Sequence, residues 1–318
     1  MTDHPDQAAV LVDNVSYVYP TGGVVALTGI NLRIGPGEIV GLVGQNGSGK
    51  TTLTKLFNGL LKPTSGRVVV HGIDTARKSV QEMATHVGYV FQNPNHQLFA
   101  RTVQQELEFG PRNLGLTVDE IAGRVAQAVE FFGLSEVLDV HPYRLSFPLR
   151  KLVGIASISA MRPPMLVLDE PSTGQDHRTT RMINTLLRRL GEQGTTLVCV
   201  SHDMPLLADV VERVVVMRDT EIIADASPRE IFADNALMAR TNLHAPQATR
   251  VGLRTVARDG GPVPLTPEEL AAAVAERHRA TVSAAGPGPA PSVAPPYDTN
   301  GRRSHVHLGR TADLDGAG

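Results

Sequence analysis

The stretch GQNGSGKTT, residues 44–52, follows the apolar run EIVGLVG at 38–44 and precedes the helix-competent LTKLFNGL. It fits G-x-x-x-x-G-K-[ST], which chance supplies in under about one chain in a hundred of this composition. Gly44, Gly47 and Gly49 permit a tight turn whose backbone N–H groups face phosphate oxygens, and the following helix aims its positive end at the same charge. Lys50 is placed to reach β- and γ-phosphates, and Thr51 to offer its hydroxyl to magnesium. The whole loop, Gly44, Gln45, Asn46, Gly47, Ser48, Gly49, Lys50, Thr51 and Thr52, is therefore the candidate nucleotide site.

Working outward, strand-like runs alternate with helical patterns: RVVVHG at 67–72, HVGYVFQ at 86–92, MLVLDE at 165–170, TTLVCVSHD at 195–203 and RVVVMRD at 213–219. Continuous Val, Ile and Leu runs separated by helices predict an α/β fold with a mostly parallel core sheet buried on both faces. Earlier, AVLVDNVSYVYP and GVVALTGINLRI alternate as antiparallel strands do. Between 93 and 163 the strand signals stop, and a capping box at Thr117 to Glu120 opens an apolar periodic segment ending near Phe132. That predicts a helical subdomain inserted in the α/β domain. A short helix from Ser227 closes the first unit near 245, and 246–280 forms a small extension with a helix started by Thr266 and Pro267. Residues 281–318, rich in Pro, Gly and Ala, are expected to be a disordered tail.

The 318 residues are 42% hydrophobic and 19% charged, enough for a real core. Lys plus Arg total 30 against 32 for Asp plus Glu, a net charge of −2, so a nucleic-acid partner is not expected. The single cysteine, Cys199, sits in the apolar run TTLVCVSH and reads as a small buried side chain. No run of about 18 consecutive apolar residues occurs, and the first residues lack a basic, then apolar leader. The expectation is a chain neither exported nor membrane-spanning by itself.

A phosphate loop alone leaves kinases, GTPases and ATPases open, so other groups must decide. In MLVLDE, four apolar residues carry Asp169 to a strand end, where its carboxylate holds magnesium through water, and Glu170 beside it polarises an attacking water. His202 ends VCVSH, as a γ-phosphate contact should. Gln92 ends YVFQ and brings its amide oxygen towards magnesium and the attacking water. All these groups would lie at strand ends along one edge of a parallel sheet.

With these motifs in place, residues 8 to 245 resemble the ATP-binding cassette (ABC) ATPases, P-loop NTPases with an antiparallel β subdomain and a helical subdomain. The resemblance implies that Tyr19 in VSYVYPTGG stacks on adenine, that Gln92 is the Q-loop residue, that Asp169 and Glu170 are the Walker B acids, that STGQD at 172–176 is the D-loop and that His202 is the switch histidine. A narrower likeness, carried by FQNPNHQLFARTVQQELEFGPRNLGL at 91–116 and by EPSTGQD, is to energy-coupling-factor ATPases of the cobalt-transporter type. It implies ATP and Mg2+ as ligands and uptake of a vitamin or a transition-metal ion. The implied partners are a second ABC ATPase, an integral membrane transmission protein and a substrate-capture subunit, with this chain peripheral on the cytoplasmic face of the membrane. A coupling helix would enter a groove that includes Gln97, Leu98 and Phe99, unless QLFA is ordinary subdomain core.

The family places an L-S-G-G-Q signature before Walker B, and two cassettes dimerise head to tail so that each signature closes on the partner's γ-phosphate. Here the position reads LSFPL, Leu145 to Leu149. Ser146 survives; Phe147 adds a side chain where glycine allows close approach, and Pro148 has no N–H to donate. Proline is welcome in a first helical turn, so the helix itself should form. A cradle weakened on one side only favours a heterodimer over a homodimer. Two alternatives stay open: a non-transport ABC ATPase, and a nucleotide-binding subunit with a degenerate site.

Overall fold

In the computed structural model, which describes residues 8–258 and 260–284, the apolar runs become strands. They are β1 (Val10–Val18), β2 (Val25–Ile34), β3 (Ile39–Gly44), β4 (Ser65–Val70), β5 (Ile73–Asp74), β6 (Val87–Val90), β7 (Met165–Asp169), β8 (Thr196–Val200), β9 (Arg213–Arg218) and β10 (Glu221–Ala226). The helices are α1 (Lys50–Phe57), α2 (Val80–Met83), α3 (Val103–Asn113), α4 (Val118–Phe132), α5 (Phe147–Ser159), α6 (His177–Glu192), α7 (Met204–Val210), α8 (Pro228–Ala233), α9 (Asn235–Thr241), α10 (Gln247–Arg254) and α11 (Pro267–Ala284).

Six strands form the core sheet in the order β10-β9-β3-β8-β7-β6. All its neighbouring pairs are parallel except the β10 edge, which returns antiparallel on β9. Alternate residues of one strand enter two different cores. On β8, Leu197 and Cys199 pack with Leu186 and Leu187 of α6, whereas Val198 and Val200 pack with Leu53, Leu56 and Phe57 of α1. Burial on both faces is why these strands lack polar alternation. Cys199 is fully buried and its thiol is pushed well above its usual range by burial, in keeping with a packing role.

The second sheet, β2-β1-β4-β5, is antiparallel throughout. It corrects one expectation: RVVVHG does not join the parallel sheet. As β4 it pairs antiparallel with β1, Val10 opposite Val70 and Val12 opposite Val68. Only Val68 and Val70 of that strand are buried, a stretch too short for its alternation to stand out from a buried parallel strand.

No strand lies between β6 and β7, and α3, α4 and α5 fill that interval. The Thr117 box forms as expected, with Thr117 accepting from the Glu120 N–H and Glu120 returning to the Thr117 N–H. The helix after LSFPL also forms: Ser146 is the N-cap of α5 and Pro148 lies in its first turn. Beyond β10, α8 opens with another capping box, Ser227 with Glu230. The first compact unit extends past residue 245 to Ala273, and Leu265 belongs to the same core cluster as β7 and β8. The second unit starts at Val274, within α11, which runs through 281–284; the rest of the expected tail lies outside the described residues.

Candidate functional site

Because β3, β6, β7 and β8 are parallel, the loops that leave their C-terminal ends emerge along one edge of the sheet. After β3 comes the glycine loop. Gly44 has φ 146° and Gly49 φ 101°. A β-carbon at Gly44 would lie 2.0 Å from the Met217 carbonyl oxygen, and one at Gly49 2.4 Å from that of Ala26. These glycines let the loop sit directly on β9 and β2. Gly49 then caps α1, whose first-turn N–H groups carry the positive end of the helix. Lys50 is 7% exposed and donates to the carbonyls of Gly44 (2.6 Å) and Gln45 (2.8 Å). Burial lowers its pKa, while Glu170 and Asp169 pull it back up. The Ser48 hydroxyl is buried without a hydrogen-bond partner, an orphan polar atom in the loop.

After β7 come the acids. The Thr51 hydroxyl donates to Asp169 Oδ2 at 3.0 Å, so the two oxygens predicted to hold magnesium are already adjacent. Burial raises the pKa of Asp169, opposed by hydrogen bonds from Thr51 and Tyr89. Tyr89, on β6, reaches Asp169 at 3.4 Å and Thr54 Oγ1 at 3.1 Å. Glu170 is one of the few non-glycine residues with positive φ, 52°, and its N–H donates to the Val200 carbonyl at 2.8 Å. Its carboxylate lies 3.5 Å from His202 Nε2 and accepts from the Thr173 hydroxyl (3.2 Å) and the His202 N–H (3.4 Å). Lys151, fully buried on α5, donates to the carbonyls of Glu170 and, at 3.4 Å, Thr173. Its pKa is pushed down to about 8 by burial, against the pull of Glu170 and Asp169.

One cleft is lined by Tyr19, Asn46, Gly47, Gly49, Lys50, Thr51, Thr52, Gln92, Asp169, Glu170 and His202, so most of the sequence-predicted residues are brought together. Gly44, Gln45 and Ser48 belong to the loop but do not line the cleft. Tyr19 stands edge-on to Tyr17 at 5.0 Å and its hydroxyl meets Thr52 Oγ1 at 3.0 Å. Beside it the exposed Val24 and Val25 form an apolar wall, which sequence reasoning did not single out. Ser146 is not among the cleft residues; it is exposed at the head of α5. Tyr89 and Lys151 were also missed, because a strand tyrosine and a helix lysine carry no motif. The groove expectation divides: Gln97 and Phe99 line an apolar groove with Leu60, Val80 and Phe109, while Leu98 is 2% exposed and belongs to the core.

The cleft thus offers N–H groups and an ammonium to an anion, two hard oxygens to a cation, and a carboxylate with an imidazole to a proton. Among the described residues no group of three or more His, Cys, Asp and Glu could hold a metal by itself. The adjacent Thr51 and Asp169 oxygens are the hard donor type that a magnesium ion takes.

The ABC transporter family matches residues 27–173. A putative ABC transporter ATP-binding protein of Caldanaerobacter subterraneus is 42% identical over 76% of this chain, and the chain spans 42% of that relative's length. The energy-coupling factor transporter ATP-binding protein EcfA of Methanothermobacter thermautotrophicus is 42% identical, over 74% of this chain and 76% of its own. Among solved structures, cbiO1 of Clostridium perfringens, part of the ABC transporter complex cbiONQ, aligns with TM-score 0.64 at 35% identity, over 77% of this chain and 98% of its own. A dimeric ATP-binding cassette bound to ADP and Pi aligns with TM-score 0.64 at 29% identity, over 69% of this chain and 99% of that one.

Proposed function

The chain belongs to the ABC ATPases of the energy-coupling-factor type, and from that premise we propose that its cleft hydrolyses ATP to power uptake of a vitamin or a transition-metal ion through membrane partners. The observation that carries this is the single sheet edge bearing the glycine loop, the Thr51–Asp169 pair and the Glu170–His202 pair together. Asn46, Gly47, Gly49 and Lys50 hold the phosphates, and the Tyr19 ring with Val24 and Val25 covers the base. Thr51, Asp169 and Gln92 would hold magnesium, which supplies charge neutralisation on the phosphates. Glu170 takes the proton of a water whose oxygen bonds to the γ-phosphorus as the bond to the β-phosphate oxygen breaks. His202 holds Glu170 and donates to the γ-phosphate.

The finer reading concerns partners. Ser146, Phe147 and Pro148 sit at the head of α5 with Ser146 and Pro148 exposed, as a segment offered to another molecule would be. Pro148 has no N–H, so a partner ATPase with glycines in its signature completes this chain's site better than a second copy does. The heterodimer docks peripherally on the cytoplasmic face against a transmission protein and a substrate-capture subunit; among the described residues no helix is long and apolar enough to cross a membrane. Glu170→Gln tests the core of the proposal. It should leave ATP binding intact, lower turnover more than about tenfold and accumulate an ATP-loaded dimer in gel filtration. Turnover within about threefold of the parent would place the general base elsewhere.

A further inference from the structure

Lys151 is among the largest fully buried side chains of the molecule, at 1% exposure. A buried ammonium is tolerated only when its N–H groups find acceptors. Its acceptors here are main-chain carbonyls, those of Glu170 and Thr173, in the turn that leads from β7 into the STGQD segment. That turn begins with a backbone conformation a side-chain-bearing residue rarely adopts, Glu170 at φ 52°. Strain of this kind persists only where the surroundings hold it. From one side, β8 accepts the Glu170 N–H through the Val200 carbonyl; from the other, α5 reaches the Glu170 carbonyl through Lys151. The carboxylate is thereby left facing His202. Two more contacts join the same pieces: Gln175 Nε2 donates to the Pro148 carbonyl at 3.1 Å, and a β-carbon at Gly174 would lie 3.4 Å from the Phe147 ring.

We propose that Lys151 is a positioning residue for Glu170: carried on the helix that opens with LSFPL, it clamps the carbonyls of the 170–173 turn and so fixes the direction of the Glu170 carboxylate. The inference rests on the reading of Glu170 as general base. It makes α5 a rigid strut between the signature, offered to the partner's nucleotide, and the base that serves this chain's own nucleotide.

The test is a double-mutant cycle of Lys151→Met and Glu170→Gln on the full chain in its active assembly. Turnover, single-turnover rate, ATP affinity and melting temperature are all measured. Lys151→Met should lower kcat by roughly 10- to 100-fold with ATP affinity within about threefold, because nothing that touches the phosphates is removed. In the Glu170→Gln background the same change should cost no more than about twofold, since its effect is routed through a carboxylate already gone. Should Lys151→Met fail to fold, Lys151→Gln, which keeps a neutral donor, is taken through the same cycle. An unchanged kcat, or an equal loss in both backgrounds, overturns the proposal while leaving Glu170 as base. Full turnover in Glu170→Gln alone overturns the base reading, and this inference with it.

Discussion

The loop at 44–52 and the segment at 145–149 are both read as phosphate-binding, yet one keeps every glycine of its pattern and the other has lost both. The difference comes from the surface on which each backbone leans. At Gly44 and Gly49 the loop lies within contact of main-chain oxygens of β9 and β2, so a β-carbon has nowhere to go. At Phe147 and Pro148 the chain is the first turn of a helix at the surface; the Phe147 ring packs along Gly174 and Pro148 occupies a position where a missing N–H is tolerated. The first set of glycines serves this chain's own fold as well as its ligand. The second set, on the proposed reading, would serve only a neighbour's nucleotide, and the fold does not object to its loss.

The sharpest way to break this contrast is Gly44→Ala. Strands β3 and β9 would have to separate to admit the methyl group, a loss of about 3 kcal/mol or more. A melting temperature lowered by less than about 3 °C would show that the loop is not seated on β9 as described. Next in size is Lys50→Ala, which removes a charge from a buried position facing the phosphates. ATP affinity should fall by about 2 to 4 kcal/mol, a factor of roughly 30 to 1,000, in a direct binding titration. Near-parental affinity would detach the loop from the nucleotide.

The opposite region predicts smaller effects, both on folding and on activity. Restoring glycines at Phe147 and Pro148 together should lower stability by only about 1 to 2 kcal/mol, the ordinary cost of glycine in a helix. ATPase of the purified chain alone should rise several-fold in the restored variant. Vigorous activity of the parent alone, with no gain on restoration, would favour the homodimer. The smallest effect belongs to Ser146→Ala. A serine N-cap usually contributes about 1 kcal/mol, as Thr117 should to α4, but Ser146 makes no side-chain cap bond. One of its two usual donors is lost at Pro148. Thermal denaturation should therefore show under about 0.5 kcal/mol for Ser146→Ala against about 1 for Thr117→Ala, with the activity loss falling on Ser146.

Most of the site was legible along the chain. A glycine loop between strand and helix, acids closing one apolar run, His202 and Gln92 closing others, and two capping boxes are local patterns, and local patterns report the period and ends of elements. Neighbours across space are another matter. RVVVHG looked like its parallel counterparts because three valines in a row do not say which sheet will accept them; the pairing with β1 decided it. The Thr51–Asp169 contact spans 118 residues and the Lys151 clamp on Glu170 nineteen, and neither has a spacing rule. The sequence by itself determined the α/β class, the phosphate loop and the strand-end groups, because each depends on residues within a few positions of one another. Tertiary structure alone decided which strand joins which sheet, the left-handed backbone of Glu170 and the burial of Tyr89 and Lys151 against the acids. Those depend on which faces meet once the chain has closed, and the free energy of burial is set by that meeting rather than by any local pattern.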